Sequence, residues 1–355
     1  LREIGITEVN LATNYHAVQA FSPHDTGRKT HFARASSYFF PDDRYGDLRP
    51  TPYEGMDCDW VESITTKTED LQLTSWTVGC HNSRLGMAHP ELTLTSPYGD
   101  NLVFGLCPSN PAVQRYLTSI VGDLASREWF DRIELETFDY FYGTGFGWHH
   151  QKIHVELGTL GEFLFGLCFC EHCRKHASTR GVDVEKAREA AVATLDAIVA
   201  GDLPHDTVPE DWLQQHQPVA DYVAARQEHL EDLYVDLAAA ADGTPLGYYV
   251  GTPDPGREWM AGVDLDRLSE YLDYVCLPAY ESSRAEVLHA YRSVKRLDPD
   301  VPIHVGLLPG HPEIHDAETL SQIVDGLREE GVPRVSFYNY GLLPDRSLDW
   351  IDAAI

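Results

Sequence analysis

Short apolar runs alternate with amphipathic stretches along most of the chain. Seven runs have strand character: Ile6–Ala12, Leu71–Val78, Arg132–Phe138, Leu246–Gly251, Tyr274–Tyr280, Ile303–Leu308 and Val335–Tyr340. Between them the spacing predicts helices over Asp57–Thr66, from Pro111 to about Arg127, across much of 159–241, and over about 264–272, 284–297 and 317–330. Asn110 before Pro111 is a cap-and-start pair. Breaks are expected near Gly181 and between Pro204 and Pro209. Repeated strand–helix units imply a parallel sheet. No Gly-rich phosphate loop follows a strand, which argues against an open doubly wound sheet. The expected fold is therefore α/β, a TIM (β/α)8-type barrel, with residues 1–355 as one domain. Segments 13–55 (with His31–Phe40 extended) and 139–241 are expected as insertions on it, and 79–110 as a long loop. Seven strands leave a barrel one short. The chain opens at Leu1 inside a helical stretch ending at Gly5, so the first strand is expected upstream of it.

Composition narrows the partners. The chain has 355 residues, usual for a barrel with long loops, and 43% of them are hydrophobic. No run of eighteen apolar residues occurs, so no membrane span is expected. Asp and Glu total 56 against 27 Lys plus Arg, a net charge of -29. Only Lys29, Lys67, Lys152, Lys175, Lys186 and Lys295 are lysines. Such a surface repels nucleic acid and anionic membranes. It suits an acidic cytoplasmic protein or one adapted to high salt. The seven cysteines are odd in number and unevenly spaced, which is no disulfide framework and points to a reducing compartment.

Three features carry chemistry. The first is Cys168-Phe169-Cys170-Glu171-His172-Cys173. Positions i and i+2 point to different faces of a helix, so a regular helix would not bury all three thiols together. A tight knuckle around one tetrahedral ion would. Zinc needs a fourth ligand; Cys107 is the first candidate, with His172 and His176 behind it. A site of four thiolates has no open position, so its role would be structural.

The second is Arg132-Ile133-Glu134-Leu135-Glu136-Thr137-Phe138-Asp139. On a strand Glu134 and Glu136 share a face, opposite Ile133 and Leu135. In a barrel the apolar face meets the helices, so both glutamates point inward. Glu136 lies nearer the carboxyl end, where barrel active sites sit. Buried carboxylates are costly unless paired or used. The third is a concentration of aromatic and polar residues at strand ends and the loops after them: Asn14, Tyr15 and His16; Trp76, His81 and Asn82; Tyr140, Tyr142, Trp148, His149 and His150; then Tyr249, Asp254, Tyr280, Glu281, His304, Tyr338, Asn339 and Tyr340. Rings that stack on the C–H face of a sugar, beside groups that take its hydroxyls, suit a saccharide.

The order Cys107-Pro108-Ser109-Asn110-Pro111, a strand ending in Glu136, then Cys168-x-Cys170-x-x-Cys173 resembles glycoside hydrolase family 42 over about 70–180. That resemblance implies a TIM barrel of β-galactosidase type. It implies a structural zinc on Cys107, Cys168, Cys170 and Cys173, and Glu136 as general acid/base at the end of strand four. Two departures stand out. The family's clan has Asn before the acid/base, where this chain has Leu135. The clan's nucleophile is a Glu ending strand seven, where this chain reads Ile303-His304-Val305-Gly306-Leu307-Leu308, with no carboxylate before Glu313.

The expected function is hydrolysis of a glycoside by paired carboxylates, with no organic cofactor. Glu136 is the acid, and Glu281, Asp139, Asp254 and Glu313 are candidates for the second carboxylate. Asn14, His16, Trp76, His81, Asn82, Tyr142, Trp148, Tyr249, Tyr280, His304, Tyr338 and Asn339 are the candidate sugar contacts. A sugar-binding barrel without turnover is one alternative. A metal-dependent hydrolase or lyase built on His16, His81, His149, His150, His304 and His311 is another.

Overall fold

The computed structural model describes residues 1–68, 71–140, 153–251 and 254–355. Seven strands run parallel in sequence order: β1 (Glu8–Tyr15), β2 (Gln72–Val78), β3 (Arg132–Glu136), β4 (Leu246–Tyr249), β5 (Tyr274–Pro278), β6 (Ile303–Leu307) and β7 (Val335–Phe337). Each of the seven expected strands is present. An eighth, Ser36–Ser37, adds antiparallel to the carboxyl end of β1.

The expected closed barrel is met only in part. Among the described residues no ladder joins β1 to β7, so the sheet is curled but open in its pairing. Side-chain contacts cross that seam. At the amino-terminal end Glu8, which also accepts from Arg132 of β3 at 2.5 Å, contacts Arg334 before β7. At the other end the hydroxyls of Tyr15 and Tyr338 lie 3.3 Å apart.

Strand boundaries shift for local reasons. β1 runs on to Tyr15 because Asn14 and Tyr15 pair with Ser37 and Ser36. β3 stops at Glu136 because Thr137 takes a left-handed φ of 55°, a region β-branched residues avoid. Tertiary contacts hold that turn: Cys80 N–H donates to the Thr137 carbonyl at 2.8 Å, and His81 N–H to its hydroxyl at 3.3 Å.

The stretch expected as loop at 79–110 contains a helix, Ser83–Ala88, and a hairpin, Thr93–Thr95 with Asn101–Leu106. The run Leu92-Thr93-Leu94-Thr95 before Pro97-Tyr98-Gly99 is a hairpin signal that sequence reasoning missed. Within 13–55, Val18–Phe21 pairs antiparallel with Thr30–Ala33. The helix Pro111–Ser126 begins at its Asn110 cap as expected. It packs against Gln217–Ala241, the last helix before β4. No helix among the described residues is long and apolar enough to cross a membrane.

Candidate active site and metal centre

The inward face of the sheet carries three carboxylates at three depths, each in a different environment. Glu8 lies at the amino-terminal end with Arg132 and Arg334, and accepts from the Thr74 hydroxyl at 2.5 Å.

Glu134 occupies the middle, 4% exposed. Its Oε2 accepts from Asn10 Nδ2 at 2.7 Å and the Tyr249 hydroxyl at 2.8 Å. Its Oε1 accepts from the Tyr274 hydroxyl at 3.2 Å and the Cys276 thiol at 3.3 Å. Glu134 is held by neutral donors rather than by a cation. Burial raises its pKa, and the four donors work against that rise. Gly247 makes the arrangement possible. It lies in register between Glu134 and Tyr274, and a Cβ there would stand 2.4 Å from the Tyr274 ring.

Glu136 sits one layer above, at the mouth. Among the described residues one side chain donates to it, Trp76 Nε1 at 2.5 Å. Burial pushes its pKa up to about 7; the Trp76 bond opposes the rise and the charge of Asp139 adds to it. Rings surround it. The Trp76 ring stands 5.0 Å from Tyr15, 5.5 Å from Tyr338 and 5.9 Å from Tyr249, and Tyr280 stacks on Tyr338 at 5.5 Å. Burial, Tyr338 and the Glu136 charge drive the Tyr15 hydroxyl upward, so it is a neutral donor.

The other candidate carboxylates differ. Asp139 is buried and accepts from the Tyr248 hydroxyl. Glu281 is half-buried, its pKa raised by burial and then by Glu286 and Glu313, both outside the Glu136 cluster. Asp254 is taken by Arg257 at 2.6 Å.

The structure gathers Trp76, Tyr280 and Tyr338 around Glu136, gives Tyr249 to Glu134 with its ring against Trp76, and employs several other predicted contacts elsewhere. Asn14 donates to the Val78 carbonyl at 2.6 Å. Asn82 caps Ser83–Ala88 and donates to Tyr116 at 3.3 Å. His16 stacks on His81 at 4.4 Å. His304 stacks on Tyr274 at 4.3 Å, and burial, with Arg132, lowers its pKa to about 4. Asn339 accepts from Gly341 N–H at 3.0 Å. Tyr142, Trp148, His149 and His150 lie outside the described residues. Sequence reasoning missed Asn10, Tyr248, Tyr274 and Cys276, whose roles depend on strands distant in sequence.

The candidate metal centre is a separate cluster. Cys107 follows the hairpin, and Cys168 and Cys170 lie in the turn before the helix Glu171–Thr179, which Cys170 caps. The Cys107 sulfur is 3.5 Å from Cys173, 3.6 Å from Cys170 and 3.8 Å from Cys168. Four sulfurs at about 2.3 Å from a tetrahedral ion stand roughly 3.8 Å apart. This buried set can therefore hold a metal ion. Among the described residues it is the one group of three or more potential ligands close enough to do so. His16, His81, His304 and His311 do not gather into another. Cys58 is exposed, and no cysteine is in a disulfide.

Solved structures share the fold. The β-galactosidase from Bacillus circulans sp. alkalophilus matches with a TM-score of 0.50 and 13% identity, over 83% of this chain and 47% of that one. An exo-β-agarase matches with a TM-score of 0.50 and 9% identity, over 83% and 43%. A chitinase from Chromobacterium violaceum ATCC 12472 matches with a TM-score of 0.45 and 9% identity, over 98% and 91%. This chain thus spans less than half the length of the first two. No protein-family model matches it, and no curated protein matches it in sequence.

Proposed function

We propose that the chain is a glycoside hydrolase with Glu136 as its general acid. The observation that carries this reading is the contrast between Glu136 and its surroundings: an inward carboxyl at the sheet's mouth, pKa about 7, ringed by Trp76, Tyr15, Tyr280 and Tyr338. A general acid works best with its pKa near the working pH. Desolvation among these rings raises the carboxyl toward that value.

Each residue then has a task. Trp76 N–H fixes the orientation of the Glu136 carboxyl. Its ring and the tyrosines offer faces to a sugar. Glu136 gives its proton to the glycosidic oxygen as the bond to the anomeric carbon breaks. Asp139 is the second carboxylate on this reading, because its charge is the one that acts on Glu136. Two carboxyl groups in unequal environments are the usual division between acid and partner. The fold shared with carbohydrate-active enzymes supports a saccharide substrate.

Glu136→Gln tests the assignment. Hydrolysis of a panel of aryl glycosides should fall by about 10²–10⁴-fold with the circular dichroism spectrum unchanged. Full activity in that variant removes Glu136 from the mechanism. Saccharide binding by calorimetry, without turnover of any glycoside by the unaltered protein, would favour the sugar-binding alternative.

We further propose that Cys107, Cys168, Cys170 and Cys173 hold zinc. Four thiolates suit a soft tetrahedral ion and leave it no open position, so its contribution is to pin the 168–173 turn to Cys107. Metal analysis should find about one zinc per chain, lost in Cys168→Ser.

A further inference from the structure

Arg226 is 4% exposed, yet its Nε, Nη1 and Nη2 have no hydrogen-bond partner among the described residues. Among the described residues no carboxylate forms an ion pair with it. An uncompensated buried guanidinium costs several kcal/mol, so something must repay it. Its surroundings identify the candidate.

The guanidinium carbon lies 4.2 Å from the centroid of the Tyr140 ring. The Tyr140 hydroxyl shares a 2.5 Å hydrogen bond with Ser109 Oγ, which accepts from the Cys173 thiol at 3.2 Å. One helical turn before Arg226, Tyr222 stacks on Phe169 at 4.6 Å and donates to the Cys168 carbonyl at 2.6 Å. The two rings that feel the Arg226 charge are the two that also feel the cysteine sulfurs. A cation over one tyrosine face does not by itself offset that burial.

We propose that Arg226 is the counter-charge of the metal–thiolate centre, and that it ties ion binding to the stability of the fold. This rests on the zinc reading above. Four neutral thiols offer the guanidinium nothing. Four thiolates around a divalent ion carry a net charge of about −2, and a buried cation linked to them through Tyr140 and Ser109 is then stabilising. Arg226 therefore penalises the metal-free fold and favours the loaded one. An ordinary packing residue would move both forms in the same direction.

The test compares the full chain with Arg226→Met and Arg226→Lys, each metal-free and zinc-loaded. Zinc affinity is read by competition with a chromophoric chelator, and stability by thermal melting. In Arg226→Met, affinity should weaken on the order of ten- to a hundredfold, while the metal-free melting temperature rises. Arg226→Lys keeps the charge and should keep affinity closer to the unaltered protein. Unchanged affinity in Arg226→Met, with both melting temperatures lowered alike, would overturn the proposal and leave the zinc site standing. If Arg226→Met does not fold, Arg226→Gln takes its place with the same expectations. A full chain that binds no zinc would defeat the zinc reading and this inference together.

Discussion

The middle of the sheet interior and its mouth present the same side chain two residues apart on one strand, and treat it in opposite ways. Glu134 receives four donors from β1, β4 and β5. Glu136 receives one among the described residues, from Trp76. Both are desolvated, and burial raises both. The difference lies in compensation. A carboxyl whose lone pairs are filled by fixed neutral donors holds the structure together. One left with a single donor, and a neighbouring negative charge, stays free to exchange a proton.

The largest effect should come from emptying the middle. Glu134→Leu strands four donors, Tyr274 and Cys276 buried and Asn10 and Tyr249 partly so, and each buried unpaired group costs about 1–3 kcal/mol less whatever relaxation recovers. A loss of about 3–5 kcal/mol in urea unfolding is expected. A loss near zero would mean that the donors find other acceptors, and the comparison would fail.

Glu136→Gln should move stability the other way. The folded pKa of Glu136 lies above its usual 4.5, at about 7. The unfolded chain therefore releases this proton first, and stability falls as pH climbs between those values. The amide does not titrate, so the variant should gain about 1–3 kcal/mol over the unaltered protein at pH 8. The gain should vanish below pH 4. A pH-independent difference would show that Glu136 is not perturbed.

The smallest effects are shifts in the pH profile of hydrolysis. In Asp139→Asn the loss of the second carboxylate leaves only residual turnover, and, with the charge that raises Glu136 gone, the alkaline limb of that residual activity should move to lower pH. Trp76→Phe removes the donor that opposes the rise, so the limb should move to higher pH. Shifts of the same sign in both variants would break the electrostatic account of the mouth.

Most of the strands were legible because their signal is local. Alternation and β-branched content in five to eight residues identified all seven, and only their ends moved. The left-handed turn at Thr137 that ends β3 is held by contacts from Cys80 and His81, more than fifty residues away. Arg226 left a readable signal that was passed over. It interrupts the apolar stripe Val219, Tyr222, Val223, Leu230 and Leu233 of its own helix, where a cation needs a reason. Asn14 and Asn82 read as sugar contacts from their place after strands, but their amides are used inside the wall.

By itself the sequence determined the parallel α/β pattern, the inward pair Glu134 and Glu136, and the crowding of Cys168, Cys170 and Cys173. All of these depend on periodicity or spacing within a few residues. Tertiary structure decided which glutamate is satisfied, that Cys107 joins the other three, and that Arg226 lies over the Tyr140 ring with no hydrogen-bond partner among the described residues. Those outcomes rest on donors and sulfurs 61 to 142 residues apart in the chain. Filling or withholding a hydrogen bond is a matter of distances between strands, which no local pattern encodes.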